Sequence, residues 1–146
     1  MNTANSLLKN IHLFFPAEEK DIRTIAPLKL AYLGDAVFEI MIRTLTLDTT
    51  GGPVKNLHKK SSSLVNAASQ AALAAAMLPL MTEEEASVFR HGRNAKTSSV
   101  AKHADIHDYR NATGLEALFG YLYLSDRMDR ATELLKQAVT KLEIEF

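Results

Sequence analysis

The segment Ala112–Leu124, ATGLEALFGYLYL, constrains the fold more than any other part of the chain. Its only carboxylate is Glu116, and apolar or small residues fill nearly every other position. A helix that is apolar on almost all sides lies in a protein core, surrounded by other elements. Along the rest of the chain, apolar residues recur at three- and four-residue spacing and strand-like alternation is absent. We therefore expect an all-α helical bundle that forms a single domain over residues 1–146.

Local start and stop signals predict six helices. Proline suits the first helical position at Pro27, Pro16 and Pro79 end helices, and Thr82–Glu85 matches a capping box that starts the fourth helix. Residues 91–108 have little periodicity and are predicted to be a loop or a broken helix. The other five helices are expected at about 6–15, 27–47, 54–77, 112–124 and 127–143.

The composition narrows the functional classes. The chain has no cysteine, which excludes cysteine nucleophiles and cysteine-bound metals and fits a reducing cytoplasm. No secretory signal and no membrane span are predicted. Basic and acidic residues balance at 17 each, without the basic excess of many nucleic-acid-binding proteins. Basic residues nevertheless predominate over 54–103 and acidic ones over 104–146, so a basic face is compatible with a neutral total.

Two carboxylates stand out because each lies in an apolar helix close to a glycine. Glu116 shares a helix face with Gly120, and Asp35 directly follows Gly34. Glycine inside a helix costs about 1 kcal/mol relative to alanine, which indicates close approach of another backbone. A salt bridge or partial exposure would explain either acid alone, but two such helices together favour a shared cation site. Oxygen ligands indicate Mg²⁺, with Mn²⁺ as a substitute.

Glu39 belongs to the same polar stripe, one turn after Asp35 and one turn before Arg43. An ion pair with Arg43 is the simplest role for it, because oppositely charged residues four apart on a helix are neighbours. Asp35 and Glu39 are like charges one turn apart, which is unfavourable unless a cation lies nearby.

The segments that carry the two acids resemble the ribonuclease III family. Residues 30–39, LAYLGDAVFE, are similar to the family signature, and residues 112–124 are similar to its second acidic segment, with the core Glu-Ala-Leu-Ile/Phe-Gly. Their order and their separation of about 80 residues also fit. Within the family the chain most resembles the compact Mini-ribonuclease III branch, which lacks an appended double-stranded-RNA-binding domain. RHGRNAK at 90–96 strengthens this match.

This resemblance implies a homodimeric, metal-dependent endoribonuclease that hydrolyses both strands of duplex RNA, with Asp35 and Glu116 as catalytic and metal-binding residues. It further implies the precursor of 23S ribosomal RNA as the substrate. Full ribonuclease III domains usually carry two more acids, at positions occupied here by Ala31 and Thr113. Their loss leaves open whether one or two metals bind. It also leaves a rival hypothesis, a weakly active or inactive RNA-binding scaffold, which the two retained acids disfavour.

Duplex RNA is recognised mainly through phosphates and 2′-hydroxyls, which calls for spaced basic side chains. Ordinary solvated charges are the alternative for each of them. The histidine spacings match no usual zinc-ligand set, so a zinc site over His58, His91, His103 and His107 is not expected. The candidates for RNA binding are Lys55, Lys59, Lys60, Arg90, Arg93 and Lys96.

Several large apolar residues exceed what one small helical core needs. They include Phe38, Ile42, Phe119 and Tyr123. From this excess we predict that the helix with the Leu-Gly-Asp segment lies near the two-fold axis of a homodimer.

Overall fold

Seven α-helices make up the part of the chain described by the computed structural model, residues 6–96 and 105–146, and that part contains no strand. Short 3₁₀ turns precede α2 and follow α4. The all-α prediction is therefore confirmed. The helices are α1 (Leu7–Phe14), α2 (Pro27–Thr49), α3 (Val54–Val65), α4 (Ala67–Met77), α5 (Glu83–Asn94), α6 (Ile106–Leu124) and α7 (Met128–Lys141).

Helix α6 is the centre of the bundle, as its apolar sequence predicts. It contacts α2, α4, α5 and α7. From Ala112 to Leu122, every residue except Glu116 is buried. Surrounding helices therefore cover α6 on nearly all sides, and the one carboxylate in that stretch lies where this cover is incomplete.

Helices α2 and α6 pack closely because glycines stand at their contact. A Cβ atom on Gly34 would overlap the backbone carbonyl of Glu116. A Cβ atom on Gly120 would overlap the backbone carbonyl of Leu30. The expected approach of another backbone is thus confirmed, and it brings the helix of Asp35 directly against the helix of Glu116.

The predicted third helix is in fact two, and this part of the prediction is wrong. Asn66 adopts an extended conformation between α3 and α4, and its side chain accepts a hydrogen bond of 2.9 Å from the Ser69 backbone N–H. Asparagine at this position caps a new helix instead of continuing the old one. The second arm, Ala67–Leu80, lies at 56° to the first.

Helices α5 and α6 extend further into 91–108 than the sequence indicates. Helix α5 continues to Asn94, and α6 begins at Ile106, where the Asp105 side chain accepts hydrogen bonds from the His107 and Asp108 backbone N–H groups. Residues 97–104 of the predicted loop, which include His103, lie outside the described residues. The capping box at Thr82 and Glu85 is present and confirms the start of α5.

The large apolar residues that were expected to exceed the needs of one core lie in the core of the subunit, so that expectation is wrong. Phe38, Ile42 and Phe119 are fully buried, and Tyr123 packs against the same core. The rings of Phe38 and Phe119 meet edge to face with centroids 5.8 Å apart. These side chains therefore pack within one subunit, at and around the contact between α2 and α6.

None of the described helices is by itself both long and apolar enough to cross a membrane. Only α3 and α4 taken together, with the bend between them, reach that length and composition.

Candidate active site

Asp35 and Glu116 meet at one surface cavity of about 190 Å³. Helix α2 supplies one wall and α6 the other, so the glycine contact between these helices fixes the separation of the two acids. Asp35 is exposed and Glu116 is half-buried. The residues that line the cavity are Leu28, Ala31, Tyr32, Asp35, Tyr109, Thr113 and Glu116.

The Glu116 carboxyl lies within hydrogen-bonding reach of two side chains, Asp35 and Gln70. Burial, followed by the hydrogen bond with Asp35 and the negative charge of Asp35, raises the pKa of Glu116 to about 8. The amide of Gln70 acts in the opposite direction because it donates to the carboxylate. The pair therefore favours a bound proton or a bound cation over two bare negative charges.

These donors fit a hard divalent cation. Both are carboxylate oxygens, the ligand type that Mg²⁺ and Mn²⁺ prefer. Across residues 6–96 and 105–146, no group of three or more histidine, aspartate or glutamate side chains is arranged to hold a metal ion. Asp35 and Glu116 would thus hold the ion alone, and most of an octahedral shell would remain for water and phosphate oxygens.

Ala31 and Thr113, at which the resemblance led us to expect two further acids in a full ribonuclease III domain, line this same cavity. Ala31 has no side-chain oxygen, and the Thr113 hydroxyl donates a hydrogen bond of 3.0 Å to the Tyr109 carbonyl. The replacements therefore fall in the wall of the site. They leave Asp35 and Glu116 as the only two acids among the described residues that line the cavity.

Glu39 does not line the cavity. Its Oε1 accepts a hydrogen bond of 2.9 Å from Arg43 Nε one turn further along α2. The expected ion pair is confirmed, and Glu39 has a partner of its own outside the site.

The six candidates for RNA binding belong to two separate regions. Lys55 and Lys59 are exposed on α3, whereas Lys60 donates to the Glu145 carbonyl at 2.9 Å. The second region lies in and just after α5, where Arg90 and Lys96 are exposed and Arg93 is half-buried. None of the six lines the cavity of the two acids. Any contact they make with RNA is therefore away from the two carboxylates.

One further part of the site, Gln70, was not predicted from the sequence. It is 3% exposed and comes from α4, which is otherwise rich in alanine. A lone polar side chain in an apolar helix is the same signal that identified Glu116, and it would have identified Gln70 as well.

Comparison with known proteins places this geometry in a family. The family model described as Ribonuclease III domain matches residues 28–127, which include both acids and both glycines of the helix contact. The chain belongs to the ribonuclease III family. This membership confirms the predicted enzyme class, an endoribonuclease of the ribonuclease III type.

Relatives named Mini-ribonuclease 3 confirm the resemblance to the compact branch of the ribonuclease III family. The one from Clostridium tetani is 41% identical over 134 residues, which are 89% of this chain and 89% of that protein. The one from Brevibacillus brevis is 42% identical over 124 residues, covering 85% and 92%. A crystal structure of a Fusobacterium nucleatum protein superposes with a TM-score of 0.74 at 31% identity, covering 86% of this chain and 100% of that one.

Proposed function

We propose that this protein is a Mg²⁺-dependent endoribonuclease that hydrolyses phosphodiester bonds of double-stranded RNA, with Asp35 and Glu116 as its catalytic carboxylates. The observation that carries the proposal is the contact of these two acids in one open cavity, on the two helices that hold the family's acidic segments. Mn²⁺ is expected to substitute for Mg²⁺, because both ions prefer oxygen ligands.

The chain's own groups prepare the site for this chemistry. Asp35 and Glu116 would hold the ion, and Gln70 donates to Glu116 and so favours its charged form. Held by these two carboxylates, Mg²⁺ would supply activation of a water nucleophile and stabilisation of negative charge on the phosphate. The cavity between α2 and α6 is open to solvent on the Asp35 side, so a phosphate of a rigid duplex can approach the two acids.

We assign the substrate by resemblance to the Mini-ribonuclease III branch. The proposed RNA is the precursor of 23S ribosomal RNA, and the proposed compartment is the cytoplasm. The absence of cysteine fits that compartment.

A homodimer is part of the proposal, supported by a stripe of exposed apolar side chains on α2 that the Glu39–Arg43 ion pair interrupts. The stripe consists of Leu28, Tyr32, Ile40 and Leu47, which are 40%, 83%, 62% and 68% exposed. Tyr32 also lines the cavity of the two acids. A second subunit on this stripe would cover it and would lie beside the active site.

Cleavage of a labelled RNA duplex tests the proposed function. Asp35→Asn and Glu116→Gln should each lower the cleavage rate by orders of magnitude, because each removes a metal ligand, while EDTA should abolish cleavage by the unchanged protein. Glu39→Gln is the matched control, since Glu39 is an acid on the same helix outside the cavity. Its cleavage rate should stay close to that of the unchanged protein.

The proposal is wrong if Asp35→Asn or Glu116→Gln cleaves at a normal rate in Mg²⁺. Tight binding of duplex RNA by the unchanged protein without any cleavage would instead support the inactive scaffold. The observation that favours this inactive RNA-binding scaffold is the presence of Ala31 and Thr113 at positions where the family usually has acids.

A further inference from the structure

A second polar cavity lies where α5 ends and α6 begins, away from the two carboxylates. It has a volume of about 310 Å³ and is lined by Arg93, Asn94, His107, Arg110 and Asn111. Every one of these five side chains has nitrogen atoms that can donate hydrogen bonds. None of them is acidic. The cavity therefore presents donors and positive charge from two different helices to a single space that is open to solvent.

Neither arginine of this cavity has an acidic partner in the described part of the chain. There, no carboxylate oxygen lies within the 4.0 Å ion-pair distance of Arg93 or Arg110. Of the other five arginines there, Arg90 also has none, whereas a carboxylate lies within that distance of Arg23, Arg43, Arg127 and Arg130. The cavity therefore brings together two positive charges that no carboxylate of the described residues compensates.

Arg93 is also held in position. Its guanidinium carbon lies 5.8 Å from the centroid of the Phe89 ring, and its Nε donates a hydrogen bond of 3.3 Å to Asn94 Oδ1. These contacts restrain the side chain and leave its terminal nitrogens to bind another acceptor. An arginine fork that is fixed before binding loses less freedom when it takes up an anion, and its planar geometry matches a phosphate.

We propose that this cavity binds a backbone phosphate of the duplex RNA, an inference that rests on the proposed function. Arg110 precedes Glu116 by six residues on α6, which corresponds to about 9 Å of helix rise. The cavity is on the side of α6 that meets α5, whereas Glu116 meets Asp35 on the side of α2. The phosphate bound here is therefore a different one from the phosphate that is cut. Its role is to position the duplex.

Equilibrium binding of one RNA duplex over a salt series tests the site. The Asp35→Asn protein serves as the background, so that the RNA stays intact during the measurement. Adding Arg93→Ala or Arg110→Ala should weaken binding about tenfold at low salt, as expected for loss of a hydrogen bond between charged groups. Each should also lower the slope of log affinity against log salt by about 1. Lys136→Ala is the control, because Lys136 is exposed on α7 away from the cavity.

The outcomes separate this site from the proposed function. Unchanged binding and slope in both arginine variants, with cleavage by the unchanged protein in Mg²⁺, would overturn the phosphate site and leave the nuclease standing. An equal loss in Lys136→Ala would also overturn it, because the effect would then be one of general charge. Failure of the background protein to bind duplex RNA would overturn the site together with the proposed function. A loss confined to Arg93→Ala and Arg110→Ala supports the site.

Discussion

Glu116 and Asp35 place two carboxyl groups in contact, and one of them is half-buried. Two negative charges that share a site cannot both stay ionised cheaply, so one pKa rises unless a cation binds. Burial and the Asp35 neighbour raise the pKa of Glu116 to about 8. In the absence of metal, the folded protein therefore holds a proton on Glu116 that the unfolded chain releases at lower pH.

This proton makes the stability of the metal-free protein depend on pH. The pKa of Glu116 rises from 4.5 to about 8, so the folded state binds more protons than the unfolded state between these values. The free energy of unfolding should accordingly fall as pH rises through this window. Glu116→Gln cannot titrate, so in EDTA it should gain stability relative to the unchanged protein as pH rises.

Thermal melts of the two proteins in EDTA at several pH values measure this difference. Saturating Mg²⁺ should reduce it at the alkaline end, because the ion stabilises the charged pair of the unchanged protein. Melting curves that stay parallel over the whole window would contradict the role assigned to Glu116.

The individual site residues were predictable to different degrees. Asp35 and Glu116 could be found because an acid is conspicuous in an apolar helix and because both lie in family-like segments. Their contact could not be found from local pattern, since it depends on how α2 crosses α6. Gln70 was missed because its helix was read as an alanine-rich structural element, although its amide reaches Glu116 from a third helix.

At the scale of elements, the α2–α6 contact sets the site. Gly34 is the neighbour of Asp35, and a Cβ atom at Gly34 would overlap the Glu116 carbonyl. The glycine that allows close packing and the acid that serves the site are thus adjacent on one helix. Any change that separates the helices should move Asp35 away from Glu116.

Gly34→Ala should therefore damage stability and activity together. Because the obstacle is backbone that cannot rotate away, we expect a loss of about 3 kcal/mol in the free energy of unfolding. The corresponding fall in melting temperature is about 10 °C. Gly51→Ala is the control, since a Cβ atom there meets no atom within 4 Å. Denaturant unfolding and duplex cleavage of both variants measure the two effects, and a Gly34→Ala protein as stable as Gly51→Ala would contradict the packing described here.

Helix types were predictable, whereas two helix boundaries were not. The alanine-rich stretch after Asn66 and the polar stretch before it both suit a helix, so composition conceals the break that the Asn66 cap introduces. The first turns of α6 were missed because they lack an apolar pattern. Residues 105–107 are exposed, so they need no apolar periodicity, and the Asp105 cap is the only local signal for them.

At the scale of the whole molecule, burial separates core from interface. Phe38 and Phe119 looked like surplus apolar surface in the sequence, yet they are fully buried within one subunit. The sequence alone could not assign them, because a core residue and an interface residue share the same chemistry. The structure leaves a different set exposed on α2, with Tyr32, Leu47 and Ile40 the most exposed members at 83%, 68% and 62%.

In a two-fold dimer, this exposed stripe on α2 would form the interface between the subunits. One subunit has a single pair of catalytic acids, whereas cutting both strands of a duplex requires two such pairs on opposite strands. Duplex RNA has approximate two-fold axes of its own, and an isologous interface between subunits can match them. Because Tyr32 belongs to both the stripe and the cavity, a dimer along α2 would place the two sites close to its axis.

Ile40→Glu tests this assembly without changing the cavity, which Ile40 does not line. Light scattering should give the unchanged protein twice the subunit mass of 16.1 kDa. The Ile40→Glu protein should have the mass of one subunit, because a buried glutamate on each side of a two-fold interface is strongly unfavourable. Val54→Glu is the control, because Val54 is an apolar residue of α3 that is 65% exposed. The Val54→Glu protein should remain dimeric.

The monomeric Ile40→Glu variant should nick single strands and yield few double-strand products. A monomeric unchanged protein that still cuts both strands efficiently, or an Ile40→Glu protein that stays dimeric, would rule out an interface along α2.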